Sequence, residues 1–254
     1  MKKSVKIILI AVLIVLIAIV GYLFNVKYGE DASKKAMVNV EKSIDENKDS
    51  SKKSGEEEFI KLDELKKINK DVAGLIKVDG TNIYYPVMQS SDNKDYLRKN
   101  INGNYDLNGS IFIDYECRLG KSDNTIIYGH NMDNENMFSD LVKYNDKEFY
   151  EKHRSISLYG DGKEQKYRVI GVYNLDITKR STYDFNIYVK NDGRTDPVKY
   201  IENLKKHTVY YDNTADINEN TKFLTLATCT DTAGDFRTVV VAVRENWKLI
   251  KFML

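Results

Sequence analysis

The sequence predicts a mainly β domain, a closed or nearly closed barrel of about eight strands behind a membrane-spanning helix. Three observations predict it. Eight short runs between residues 82 and 243 are rich in β-branched and aromatic residues and bounded by Gly, Asn or Asp, the composition of strands ended by turns. Only a few helical stretches interrupt them, and a sheet of that size loses its exposed edges by closing on itself. At the N-terminus, Lys2, Lys3 and Lys6 precede an uncharged run from Ile7 to Phe24.

That run is 18 residues long. At ~1.5 Å rise per residue it reaches roughly 27 Å, close to the hydrocarbon thickness of a bilayer. A cleaved signal peptide has a shorter apolar core and a small-x-small site, and no such site follows. The reading is an uncleaved anchor over 7–24 with a cytoplasmic tip over 1–6. Lys27, Lys34 and Lys35 lie on the far side, but the dense lysine cluster at the tip favours the inside, which puts the domain outside. Residues 25–58, for example "DENKDSSKKSGEEE", are too polar to offset the entropy of ordering and read as a flexible tether. Met37, Val38 and Val40 there could extend a transient helix.

The folded domain is expected over 59–254. "EFIKLDELKKINK" places Phe59, Leu62, Leu65 and Ile68 at threes, a helical stripe for docking on a sheet. The strand-like runs are "NIYYPVMQ", "SIFIDYE", "NTIIYGHN", "SISLYG", "KYRVIGVYNLD", "HTVYYD", "KFLTLATC" and "RTVVVAV". "NMFSDLVKYNDKEFYEKH" reads as a helix after the third run. "TDPVKYIENLKKH" reads as another, with Thr195 or Asp196 as cap and Pro197 in the first turn.

Composition narrows the chemistry. A chain of 254 residues with net charge +1 and interspersed charges lacks the basic excess that nucleic acid requires. Two cysteines, Cys117 and Cys229, make no disulfide framework. HExxH, CxxC, P-loop and GxGxxG patterns are absent, so neither a metal nor a nucleotide cofactor is expected. The "NGS" at Asn108 matches a glycosylation acceptor formally, but Asn-Gly is more simply a turn.

Cys229 closes an apolar strand, where a buried structural thiol is the commoner reading. Two residues shift the balance. If the flanking strands form a hairpin centred near Ala233, Cys229 and Arg237 face one another, and a guanidinium there can lower a thiol pKa or bind an oxyanion. His130 ends the apolar run "TIIYGH" and precedes a polar loop, the position of a general acid or base at a barrel rim. The other histidines, His153 and His207, end charged helical stretches, where a cation at a helix C-terminus explains them. Taken alone, these residues allow a Cys/His hydrolase or transferase.

The pattern "TLATC" with Arg237 eight residues after its cysteine, and "IIYGHNM" upstream, resembles the signature of sortases, the cysteine transpeptidases of Gram-positive cell surfaces. "TNIYYPVMQSSDNKDYL", "NGSIFIDYE" and "NMFSDLVKYNDKEFYEKH" are similar to class B sortases in order and spacing, and the resemblance runs from Phe59 to Trp247. It implies an eight-stranded sortase-type barrel with an N-terminal helix and a helix inserted before the last strands. It further implies Cys229 as nucleophile, His130 as proton carrier and Arg237 at the oxyanion. The sorting-signal groove would be lined by Asn93, Leu97, Ala227, Thr228, Thr230 and Tyr183, the last in the long loop before the second helix. The implied partners are surface proteins bearing a sorting signal, a peptidoglycan or cell-wall amine, and the membrane. No calcium site is expected by the same analogy. Class B signals are commonly of the Asn-Pro-x-Thr type, but Ala227 and Thr230 stand where serine and glutamate are frequent, and Leu75 where tryptophan is. A catalytically silent sortase-like binding module, with a Cys117–Cys229 disulfide or an unreactive thiol, and a cysteine peptidase releasing product to water, are the competing expectations.

Overall fold

The computed structural model describes residues 3–28, 31–45, 54–132, 134–176, 196–229 and 236–245. It divides into two units, Met1–Asp31 and Ala32–Leu254. The first contains helix α1, Lys3–Tyr28. Its segment Ser4–Leu23, 20 residues of mean hydropathy 3.0, is unburied along its length. By length and composition it is able to cross a bilayer.

In the second unit the strands are β1 (Val72–Val78), β2 (Tyr84–Met88), β3 (Ile111–Ile113), β4 (Asn124–His130), β5 (Ser155–Gly160), β6 (Lys163–Asp176), β7 (Tyr210–Tyr211), β8 (Phe223–Cys229) and β9 (Phe236–Arg244). They pair in the order β5-β1-β2-β3-β4-β8-β9-β6, and a further β5–β6 ladder closes the ring. The closed eight-stranded barrel is therefore as expected, with one exchange of membership. "HTVYYD" contributes only the two residues of β7, which lie on β6 outside the ring. The eighth member is β1, "VAGLIKV", whose interior glycine hides the strand pattern. That glycine is needed: a Cβ on Gly74 would sit 2.8 Å from the Tyr159 carbonyl oxygen of the neighbouring β5.

The helices also depart from the expected pattern. Helix α2 (Ala32–Asp45) lies within the span read as a tether, and α3 (Ser54–Ile68) begins there too. Polar composition concealed a narrow stripe on α2: Ser33, Ala36, Met37 and Val40 recur at helical spacing and are buried. Lys61 of α3 fastens this helix. Its ammonium lies 3.2 Å from Glu41 of α2, 3.3 Å from Glu57 and 3.6 Å from Glu58, and donates to the Tyr84 hydroxyl of β2 at 3.1 Å. Burial pulls the Lys61 ammonium down, but Glu58, Glu41 and Glu57 outweigh it and hold the group above its ordinary pKa. On α3, Leu62 and Leu65 are buried while Ile68 is exposed. Nine residues turn a helix by about 180° beyond whole turns, so Phe59 and Ile68 cannot share a face.

The expected helix after β4 is two pieces, a 3-10 segment over Ser139–Asn145 and helix α4 (Lys147–Lys152). Asp146 separates them because its side chain accepts from the Phe149 amide at 2.9 Å and caps α4. Helix α5 (Pro197–His207) starts on Asp196, whose carboxylate takes the Val198 and Lys199 amides, with Pro197 in its first turn. The long approach to β8 is pinned by Asp212, which accepts from the Arg154 and Arg168 guanidinium groups and from the Thr214 amide at 2.9 Å and hydroxyl at 2.6 Å.

Burial pushes the Asp212 carboxyl up, but the Thr214 hydroxyl and amide and the Arg154 guanidinium outweigh it and hold its pKa below the usual range. A carboxyl depressed in the folded state contributes stability above its unfolded pKa of about 3.9, and that contribution fades as pH falls through the folded value. Asp212→Asn should therefore cost about 1–2 kcal/mol at pH 7 by urea unfolding. The gap from the parent should narrow below about pH 4.

Candidate active site

Strands β4 and β8 run parallel at the centre of the array, in register from Asn124↔Phe223 to His130↔Cys229. All seven residues of β4 are buried, as expected of a strand covered on both faces. The last residues of both strands therefore end side by side. Strand β9 returns antiparallel along the other edge of β8, pairing Phe223↔Val243 through Ala227↔Val239. The Thr238 amide then donates to the Thr228 hydroxyl at 3.1 Å. Continuing the register two residues beyond Ala227↔Val239 sets Cys229 opposite Arg237. Cys229 thus has His130 on one flank and the Arg237 position on the other.

His130 is only 3% exposed. Its Nε2 is 2.8 Å from the Leu97 carbonyl oxygen. A carbonyl only accepts, so Nε2 is the donor in this bond. The preceding Gly129 is required by packing: a Cβ there would lie 2.7 Å from the Phe138 ring. Phe138 in turn donates its amide to the His130 carbonyl at 2.9 Å. Arg237 is half-buried, and its buried Nε–H has no hydrogen-bond partner among the described residues. Such a donor is costly unless something else supplies an acceptor.

The carbonyl that holds His130 is itself positioned. Leu97 ends a 3-10 turn over Asp95–Leu97. The Asp92 carboxylate opens that turn by taking the Lys94 amide at 2.8 Å and the Asp95 amide at 3.0 Å. Gly109 sits beneath it at φ +60°, where a Cβ would come within 2.6 Å of the Tyr96 and Leu97 oxygens. Asn93 is bonded at both ends, its Nδ2 to Asp114 at 2.9 Å and its Oδ1 from the Tyr115 amide at 3.0 Å. Asp114 is buried and also accepts from the Tyr128 hydroxyl at 2.9 Å.

Of the residues expected around a groove, Leu97 is half-buried beside His130, and Asn93 braces the same turn. Ala227 has no exposed surface, and the Thr228 hydroxyl is engaged with Thr238. Thr230 and Tyr183 lie outside the described residues. Asp114 and Gly109 were not anticipated; the signal available was a lone acid closing the apolar run "SIFID". His153 caps α4 and its Nδ1 meets the Phe149 carbonyl at 2.9 Å, while His207 ends α5. Cys117 is a buried thiol outside any disulfide, with its Sγ 3.4 Å from the Asn124 carbonyl oxygen.

A family model described as the sortase domain matches residues 76–245. Sortase B of Staphylococcus aureus (strain NCTC 8325 / PS 47) is 34% identical over 249 residues, covering 95% of this chain and 97% of that protein. The chain belongs to the sortase family, as a class B member. Sortase B of Listeria monocytogenes serovar 1/2a is 36% identical over 178 residues, 69% of each chain. Among solved structures, a Staphylococcus aureus sortase B–substrate complex has TM-score 0.69 at 27% identity, covering 85% of this chain and 95% of that one. A mutant form of Clostridium perfringens sortase B has TM-score 0.67 at 32% identity, covering 76% of this chain and 92% of that one. This sortase is accordingly a cysteine transpeptidase by family.

Gly129→Ala should lower the stability of this sortase by about 1–3 kcal/mol in thermal denaturation, because the new methyl overlaps the Phe138 ring. Pairing it with Phe138→Leu should recover part of the loss. An unchanged melting temperature in the single variant would contradict the packing described.

Proposed function

We propose that this sortase is anchored by α1 with its barrel outside the cell, cleaves a C-terminal sorting signal after threonine, and transfers the acyl product to a peptidoglycan amine. The observation that carries the reading is the buried Arg237 Nε–H, without a partner among the described residues, at the register position opposite Cys229. A donor left unsatisfied in the resting protein suits an acceptor that arrives with the substrate.

In the first half-reaction the Cys229 thiolate, paired with His130 as imidazolium, attacks the threonine carbonyl carbon, and the carbonyl electrons move onto oxygen. Arg237 and a backbone amide stabilise that oxyanion, an effect worth about 3 kcal/mol for one donor. As the C–N bond breaks, His130 gives the leaving amine a proton from Nδ1, while the Leu97 carbonyl keeps Nε2–H in place. In the second half-reaction an amine attacks the thioester, His130 takes its proton, and the thiolate departs. A thioester remains reactive enough for an amine to displace it. Asn93 and Leu97 contribute to the sorting-signal groove, with Thr230 and Tyr183 completing it. Ala227 and Thr228 act through the backbone position they give Cys229, since their side chains are buried. The Staphylococcus aureus relative with TM-score 0.69 is described as a substrate complex, which supports a peptide-binding face on this barrel.

The α1 segment supports a single-pass anchor, and the N-terminal lysines support a cytoplasmic tip. A silent binding module held by a Cys117–Cys229 bridge is disfavoured by the Cys117 thiol.

Three experiments test this reading. Cys229→Ala should abolish cleavage of a peptide library containing Asn-Pro-x-Thr sequences while leaving circular dichroism unchanged; turnover by that variant would sink the assignment. With the parent enzyme, an added amine should divert product from acid to amide, whereas an amine-independent product would indicate a peptidase. Arg237→Lys should lower kcat by about a hundredfold, because an ammonium cannot reproduce the planar donor set. Steady-state kinetics equal to the parent's would remove the guanidinium from the mechanism.

A further inference from the structure

The turn that follows His130 is held in a conformation that its residues do not favour. Between His130 and Phe138 the chain doubles back through an isolated antiparallel bridge, Asn131↔Met137. Glu135 and Met137 adopt φ +60° and +57°, the left-handed region that side chains other than glycine rarely enter. A bulky Met there persists only where the surroundings over-determine it, and such strain gathers at functional sites. Inside the turn, the Ser139 hydroxyl takes the Met132 amide at 2.7 Å. Outside it, two contacts come from elsewhere. The Met137 amide donates to the Tyr85 hydroxyl of β2 at 3.0 Å. The Lys34 ammonium of α2 donates to the Asn136 Oδ1 at 2.7 Å and lies 5.6 Å from the centre of the Tyr85 ring. One cation thus touches both the turn and the phenol that holds the next residue of the turn.

We infer that Lys34 is a positioning residue for His130: α2, the first helix of the folded unit, clamps the strained backbone at 135–137 through Asn136 and Tyr85. The buried stripe of α2 and the Glu41–Lys61 pair fix the helix to α3, so the clamp has a rigid seat. The turn then passes its position to the histidine through the Phe138 amide and the Phe138 ring under Gly129. The inference rests on His130 as the proton carrier, and it makes the helix that follows α1 in sequence part of the catalytic scaffold. Function therefore depends on a lysine remote in sequence from the cysteine, histidine and arginine.

The test uses the full-length chain in detergent micelles, with Lys34→Met, Lys34→Arg, Asn136→Leu and, as reference, His130→Ala. Amide hydrogen exchange of peptides spanning residues 131–138 is followed beside single-turnover acylation by a sorting peptide. Lys34→Met and Asn136→Leu should each raise exchange in the turn and slow acylation by about tenfold, with little change in KM, and Lys34→Arg should restore most of both. Unchanged exchange in Lys34→Met and Asn136→Leu, with His130→Ala inactive, overturns the clamp and leaves the catalytic reading standing. Faster exchange with unchanged acylation, His130→Ala again inactive, overturns the positioning role. Full activity in His130→Ala overturns the catalytic reading itself, whatever the turn does.

Discussion

The parallel pairing of β4 with β8 is the constraint on which the candidate site depends. These strands are far apart in sequence, and nothing local brings them together. Their register matches Asn124 to Phe223 at one end and therefore His130 to Cys229 at the other. A slip of one residue would move every side chain of the strand to the opposite face, so the buried apolar run that fixes the core also fixes the chemistry. Val239 to Val243 of β9 add the second flank, buried and in register with β8. The positions of the thiol-bearing residue, the imidazole and the guanidinium are thus consequences of one close-packed sheet.

Around that sheet the polar groups are organised in tiers. The Leu97 carbonyl touches the imidazole, Gly109 allows that carbonyl its place, and Asn93 with Asp114 braces the turn from behind. Each tier uses backbone geometry or a bidirectional amide, and none relies on a long mobile side chain. Lys34 is the exception, and it comes from a helix that the barrel itself does not contain. On the proposed role of His130, alignment matters at displacements well below a bond length, and these supports all converge on that one histidine.

Much of this was legible because the information was local and periodic. Strand ends at His130 and Cys229, the Asp196–Pro197 helix start and the hairpin symmetry about position 233 could all be read from residue order. Three features were hidden for physical reasons. Gly74 weakens the pattern of β1, yet it is what lets β5 approach. The stripe of α2 comprises only Ser33, Ala36, Met37 and Val40, so a composition average classed it with a polar tether. Asp114, Gly109 and Lys34 act through partners a dozen or more residues away, and an acid, a glycine or a lysine carries no mark of such a partner. The same limit applies to strand membership: β7 has the composition of a ring strand but only two residues paired.

Closure of the barrel has a consequence for how any extended peptide is read. Each of the eight ring strands has a neighbour on both sides, so among the described residues the ring offers no long free edge for a guest strand to extend. Proteins that bind peptides by adding a strand gain affinity from repeated main-chain bonds and are tolerant of sequence. A closed ring forgoes that generic affinity. Recognition has to come from separate contacts at the rim, each answering to one side chain or one carbonyl of the guest. Selectivity then resides in the short connecting segments at the rim rather than in the strands.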